Sequence, residues 1–450
     1  ALQRSGDKDD LPLLKRVKMP ELEPDAGLPP MCLGEQVVED YRRLHLSLKA
    51  HPVAFLRADL TRPRIANVSD PVAQQPRDYC PLTPATFLDF GLPIFGSPIF
   101  ATNTCVEDSL VYRAAVSDAV FGRRLTQTAY NSSVRLHGIH HITAIAGDPQ
   151  RNVDFYTQLL GLRFAKRTVN FDDPSTYHLY YGDRTGRPGT AITFFAWPGA
   201  RRGTRGTGQV VATSFAIPKD SLGYWKARFD EHHIFHEVVP DRFNATALRF
   251  IDPDGLMLEL IESNHLDDID LNYETEVPKK FAIHGFHSPT LQVQHSKKTE
   301  GVLAILGFEL VGEEAGRKRF SVDSKLTSAS IDLVERPDGQ FGINSAGTVH
   351  HIAFRCADEL EQSHWREQIA ARGLHVTPVI DRFYFHSIYF REPGGILFEI
   401  ATEGPGFTAD EPAERLGETL KLPPQYEKHR AEIEQALPPV SVGPKTKTVG

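Results

Sequence analysis

The run Ile139–Ala146 (IHHITAIA) predicts a strand, and a helix signal follows it directly. Asp148-Pro149 places an N-cap residue before a proline at the first helical position. Val153, Tyr156 and Leu160 then recur at helical spacing, and Gly161 ends the helix. Three strand-like runs come next, of which Thr190–Trp197 is the clearest. The same strand–helix–three-strand order restarts at Gln209, Phe286 and Thr348. In the last of these, Asp358 is set to cap a helix carrying Leu360, Trp365 and Ile369, which Gly373 stops. A doubly wound parallel sheet would need a helix between most strands, and those helices are missing. The expected fold is therefore α+β, with four βαβββ modules paired into two tandem domains.

The sequence repeats itself in support of this. Tyr224–Leu260 aligns without gaps on His364–Ile400, matching Trp225 with Trp365, Asp241-Arg242-Phe243 with Asp381-Arg382-Phe383, and Glu259 with Glu399. His137-Gly138-Ile139-His140 likewise matches His284-Gly285-Phe286-His287. Residues 137–264 and 283–404 are thus tandem copies, and the domains are expected at 137–267 and 283–405. Residues 1–64 read as a leader and 65–136 as linker or loosely folded chain. Residues 406–450 form a polar tail with one helix expected over Tyr426–Leu437.

Composition narrows the function classes. The 58 acidic and 50 basic side chains leave a formal charge of −8, which argues against nucleic acid as a partner. Apolar stretches fall well short of the ~20 residues of a spanning helix, and the polar start suggests no secretory signal. Cys32, Cys80, Cys105 and Cys356 form no close pair, so neither a disulfide framework nor a thiolate zinc site is expected, and a cytoplasmic setting fits. The 19 histidines change the picture, because some are adjacent.

Two histidine doublets each open a module: His140-His141 and His350-His351. Side chains alternate on a strand, so each doublet is expected to give one imidazole to a given face. Glu399 lies among Ile396, Leu397, Phe398 and Ile400, where a carboxylate is costly to bury unless paired or metal-bound. Two histidines and one carboxylate match the facial set that binds Fe(II) with open positions. The repeat serves as an internal control. Module two keeps Glu259 but has Val211-Ala212 in place of His350-His351, and module three has Ser288 at the position of His141. Glu259 is therefore expected to be structural, facing Arg242.

On these residues, positions 137–437 resemble the vicinal oxygen chelate superfamily (glyoxalase, bleomycin resistance and extradiol dioxygenase proteins). The run Asp381–Phe407 (DRFYFHSIYFREPGGILFEIATEGPGF) is similar to the branch that cleaves hydroquinone rings, the hydroquinone 1,2-dioxygenases. The resemblance implies that His141, His351 and Glu399 bind Fe(II), with Mn(II) as the alternative, so that modules one and four must meet. It also implies catalytic roles for His140, Thr143, His350, Arg382 and Tyr389. A structural ion pair between Arg382 and Asp381 competes with a role for Arg382. The implied partners are a small aromatic substrate and O₂, without nucleic acid or membrane, and with a homo-oligomer left open. A para-diol cannot chelate, so its distal hydroxyl must be held by side chains, with Arg382, Tyr384, His386, Ser387 and Tyr389 as candidates. The alternatives are a catechol extradiol dioxygenase and a glyoxalase-type isomerase, the latter needing a fourth ligand that TAITFFAWPG lacks. Separately, Glu35–Leu60 resembles a short stretch of bacterial error-prone DNA polymerases. It carries none of their catalytic carboxylates, so it reads as a stranded fragment.

Overall fold

The computed structural model describes residues 135–323 and 325–443. Apart from residues 135 and 136, the expected leader and linker lie outside the described residues, as does the polymerase-like stretch. Module one contains β1 (Ile139–Ala146), α1 (Pro149–Asp154, extended by a wide turn over Phe155–Leu159), β2 (Arg163–Asn170), β3 (Asp173–Gly182) and β4 (Ala191–Ala196). Module two contains β5 (Gln209–Pro218), α2 (Leu222–Glu231), β6 (His236–Arg242), β7 (Ala245–Ile251) and β8 (Met257–Ser263). Module three contains β9 (Thr290–Val293), α3 (Ser296–Ile305), β10 (Glu309–Glu314), β11 (Arg317–Ser321) and β12 (Ser330–Glu335). Module four contains β13 (Val349–Cys356), α4 (Glu359–Ala370), β14 (Ile380–Asp381), β15 (His386–Arg391) and β16 (Leu397–Thr402).

Every module has the same strand order: first, fourth, third, second. The modules join edge to edge into two curled eight-stranded sheets. One sheet runs β14-β15-β16-β13-β1-β4-β3-β2, and the other β10-β11-β12-β9-β5-β8-β7-β6. Module one therefore pairs with module four, and module two with module three. The sheets cut across the two sequence copies.

The local signals act as the sequence suggests. Asp148 accepts a hydrogen bond from Arg151 N, and Asp358 from Leu360 N and Glu361 N, each relieving an unpaired amide at a helix start. Gly161 adopts φ +72°, a left-handed conformation that costs a side-chain-bearing residue energy. The repeated turns at Gly255 and Gly395 have φ +97° and +104°. Each is braced by an acid at the preceding strand end: Asp252 accepts from Asp254 N and Leu256 N, and Glu392 from Gly394 N and Ile396 N.

Trp225 and Trp365 occupy the same buried place in α2 and α4. The helix-facing sides of both sheets merge into one apolar core with them. Three expectations need correction. Leu360 is 73% exposed, because it stands in the first turn of α4, off the face that buries Trp365 and Ile369. Module three starts its strand at Thr290 rather than Phe286, since Pro289 has no N–H to donate to a ladder. The tail helix is α only over α5 (Arg430–Ala436); Pro424–His429 winds as a 3₁₀ turn. Among the described residues, no helix is long and apolar enough to cross a membrane.

Candidate metal centre

The centre forms where modules one and four join. β1 runs antiparallel to β13, and β13 parallel to β16, so His141, His351 and Glu399 come from three neighbouring strands. His141 Nε2 lies 3.2 Å from His351 Nε2 and 3.4 Å from Glu399 Oε2, while His351 Nε2 is 2.9 Å from Glu399 Oε2. An ion about 2.1 Å from three ligands at right angles needs them about 3.0 Å apart, close to this triangle. All three residues are buried, and they form the one cluster of metal-ligating side chains found among the described residues.

Their polar partners show what the cluster suits. Glu399 Oε1 accepts from Ser387 Oγ at 2.5 Å. Glu399 Oε2 has no aligned hydrogen-bond donor, an expensive state for a buried carboxylate oxygen. Burial alone would raise the Glu399 pKa, but the two imidazoles hold it well below the usual carboxylate range. In the other sheet, Glu259 occupies the matching place and is fully paired. Ser214 donates to it at 2.8 Å, Arg249 Nη2 at 2.9 Å, and Arg242 bonds both oxygens. Burial works to raise Glu259, and Arg242 more than offsets this, leaving its pKa at about 2. Arginines thus satisfy Glu259, whereas Glu399 faces only imidazoles and a hydroxyl. This donor set fits a divalent metal.

The doublets depart from simple strand alternation. Ile139 pairs with Phe354 and His141 with Ala353, so His140 is an extra residue in β1. Thr143 pairs with His351 and Ala144 with Val349, so His350 is an extra residue in β13. Each doublet therefore sits on a β-bulge, which re-aims side chains and lets adjacent imidazoles meet. His140 Nδ1 lies 2.9 Å from His141 Nδ1, and His350 Nδ1 lies 2.8 Å from His351 Nδ1.

The first pair has a determined direction. The Thr402 carbonyl can only accept, so His140 Nε2–H donates to it at 3.1 Å. Burial, then the neighbouring His141, hold His140 neutral with a pKa of about 3, leaving its Nδ1 as acceptor. His141 Nδ1–H must then donate to His140, which leaves the lone pair of His141 on Nε2, facing Glu399. Such an outer partner fixes a ligating imidazole's tautomer and ring angle.

The remaining candidates divide. Thr143 is fully buried, opposite His351 in register, and hydrogen-bonds Thr193 at 2.8 Å. Tyr389 is opposite Glu399, its ring edge-on to His351 at 5.8 Å, and burial raises its phenol pKa. Arg382 donates from Nε to Tyr389 Oη at 3.3 Å and from Nη2 to Asp172 at 3.1 Å. Burial opposes its charge, but Tyr389 and Asp172 hold its pKa above the ordinary value.

The Arg382 ion pair is thus with Asp172, not Asp381, whose carboxylate accepts from Phe383 N in its own turn. Of the residues considered for a distal hydroxyl, His386 points toward α4 and pairs with Glu359 at 2.9 Å, while Tyr384 donates to Asp410 at 3.0 Å. Ser387 is occupied by Glu399.

Several residues of this face escaped the motif reading. β3 and β4 add His178, Tyr180, Thr193 and Phe195, placed by register on the same side as Thr143. Their signal was parity: His178 and Tyr180 are polar positions two apart in a strand whose intervening Leu179 is core. Phe385 packs on both His140 and His141, at 5.0 and 5.2 Å.

Known proteins place this architecture. The family model described as the glyoxalase/bleomycin resistance protein/dioxygenase superfamily matches residues 138–260 and 303–400. A Bacillus subtilis (strain 168) protein named as a ring-cleaving dioxygenase, MhqO, is 49% identical over 308 residues, covering 68% of this chain and 97% of that protein. The chlorohydroquinone/hydroquinone 1,2-dioxygenase of Sphingobium indicum is 34% identical over 310 residues, 66% of this chain and 95% of the relative. A crystal structure of a dioxygenase from Bacillus subtilis superposes with a TM-score of 0.65 at 48% identity, covering 69% of this chain and 99% of that one. A stretch of 64 residues, 14% of the chain, is 53% identical to 6% of an error-prone DNA polymerase from Mesorhizobium japonicum. The chain belongs to the glyoxalase/bleomycin resistance protein/dioxygenase superfamily, among its ring-cleaving dioxygenases.

Proposed function

We propose that this chain is a non-haem Fe(II) dioxygenase that opens the ring of a hydroquinone with O₂, its ion held by His141, His351 and Glu399. The observation that carries the reading is Glu399: a buried carboxylate with one oxygen lacking an aligned donor, beside two imidazole nitrogens. Iron(II) bound there would supply open positions where a hydroxylate and O₂ meet and electrons pass between them. The rest falls to the chain's own side chains. His140 keeps the lone pair of His141 on Nε2, and His350 Nδ1 meets His351 Nδ1 at a similar distance. Tyr389, beside His351, holds or moves a proton, and Arg382 faces developing negative charge through its contact with Tyr389. Phe385 excludes water from the two module-one histidines.

The substrate class is supported by the Sphingobium relative's name and by the polar Arg382–Tyr389 wall, which can hold a hydroxyl that does not reach the metal. The isomerase alternative needs an acid from β4, and that strand offers Thr193 and Phe195 to this face. The test is kcat/KM for hydroquinone, a chlorohydroquinone and catechol on one iron-loaded sample. Hydroquinones should win by tenfold or more, since a site built around a hydroxyl discriminates strongly. Catechol emerging tenfold better would promote the extradiol alternative.

A further inference from the structure

One row of side chains crosses the sheet beside the candidate metal centre. In register it runs Lys166 on β2, Tyr180 on β3, Thr193 on β4, Thr143 on β1 and His351 on β13. His178, two residues before Tyr180, shares this face and ties the row together. Tyr180 Oη lies 2.8 Å from His178 Nδ1, His178 Nε2 2.9 Å from Thr193 Oγ1, and Thr193 Oγ1 2.8 Å from Thr143 Oγ1. The result is a continuous hydrogen-bonded chain across three strands.

Counting protons gives the chain a direction. With the imidazole neutral, its four members carry one proton each and share three links, so one proton is left over at an end. It sits either on Tyr180 or on Thr143. A phenol is the strongest acid among the hydroxyls and an imidazole nitrogen the strongest base, so the best single link is Tyr180 O–H to His178 Nδ1. Burial keeps both groups uncharged, pushing the His178 pKa well down and the Tyr180 phenol well up. The placement agrees: Tyr180 packs on the Phe407 ring at 4.8 Å, whereas Thr143 adjoins His141 and His351, beside the candidate metal centre. His178 then donates from Nε2 to Thr193, and Thr193 donates to Thr143.

We propose that Tyr180, His178 and Thr193 are positioning residues that turn Thr143 into a hydrogen-bond donor aimed at an oxygen atom of the substrate or of O₂ at the metal centre. This assignment rests on the ring-cleaving reading of the site. It extends the machinery into β3 and β4.

Two measurements test it. The first needs no turnover: nitrogen-15 NMR of histidine-labelled protein, with His178 identified by its loss in His178→Gln. The Nε2–H tautomer is expected, and Tyr180→Phe, which removes the donor to Nδ1, should abolish its preference. An Nδ1–H tautomer overturns the proposal. The second is a set of mutant cycles on the iron-loaded enzyme with hydroquinone. Thr193→Val and Tyr180→Phe should each lower kcat by roughly 10- to 100-fold with KM and iron content nearly unchanged, and Thr193→Ser should recover most of the rate. In a Thr143→Val background the same two changes should have no further effect, since the chain acts through Thr143. Full additivity there overturns the proposal. If the parent protein turns over no hydroquinone, the proposed substrate fails, and the tautomer still decides the chain.

Discussion

Lys166 offers a sharp energetic test, because its ammonium has no access to water. The side chain is 0% exposed, with Nζ 2.7 Å from Asp410 Oδ1 and 2.5 Å from Glu411 Oε2, both on the C-terminal tail. It also lies 5.0 Å from the Tyr384 ring centroid, and Tyr384 itself donates to Asp410. The double change Asp410→Asn/Glu411→Gln keeps shape and most hydrogen bonds but strands a buried charge, at a cost of about 3–5 kcal/mol. Over roughly 300 folded residues the unfolding entropy is about 0.6 kcal/mol/K, so the melting midpoint should fall by about 5–8 °C. Adding Lys166→Met removes the stranded charge and should return the midpoint to within about 2 °C of the parent. Differential scanning calorimetry on the three proteins reads both steps. A double variant within 2 °C of the parent, or no recovery on adding Lys166→Met, would refute the reasoning.

Replacing His141, His351 or Glu399 with Ala should remove bound iron and turnover, measured by elemental analysis and O₂ uptake, while Glu259→Ala keeps the iron. The Glu259 variant should instead lose about 3–5 kcal/mol of stability, because Arg242 and Arg249 are left without their shared carboxylate. His287 gives a pH effect: burial, then Arg319 and Arg242, hold its pKa at about 3. The unfolded chain, with a value near 6.5, takes up the proton first, so this stability is complete above about pH 6.5 and is lost as pH falls toward 3. Between pH 7 and 5 the parent should lose about 2 kcal/mol more than His287→Gln in denaturant titrations. Finally, a chain beginning near Ser132 should fold and keep kcat within a few-fold, since every candidate residue follows His137. A soluble, iron-bearing truncation without activity would show that the earlier residues contribute.

What could be read from the sequence was local or repeated. β1 spans the expected Ile139–Ala146, and Asp148 and Asp358 cap as their positions suggest, because capping involves amides two or three residues away. The His141, His351 and Glu399 convergence was legible because the repeat preserved a degenerate copy in which Glu259 turned to Arg242 instead. What escaped depends on how distant strands align. The bulges at His140 and His350 exist only in the β1–β13 register, and Arg382 finds Asp172 across 210 residues of chain. The outward turn of His386 follows from a parity that a run broken by the Phe383 turn, with φ +66°, does not reveal. Thr193 lies inside the expected strand Thr190–Trp197, and its hydrogen bonds to Thr143 and His178 depend on neighbours that only the register supplies.

The pairing of module one with module four, around a sheet made from modules two and three, has a consequence for synthesis on the ribosome. The inner pair is contiguous and can close as soon as β12 has emerged. β1 is made early, satisfied on one side by β4, and carries a bare edge until β13 arrives some two hundred residues later. Glu399 comes last of the three, so a nascent or prematurely ended chain holds at most an incomplete claw for metal. Neither half of the polypeptide holds all three residues of the cluster, so neither is expected to be active alone. Expressed together as separate chains, the halves carry complementary edges at β1 and β13, so the His141, His351 and Glu399 cluster is expected to re-form from the two pieces.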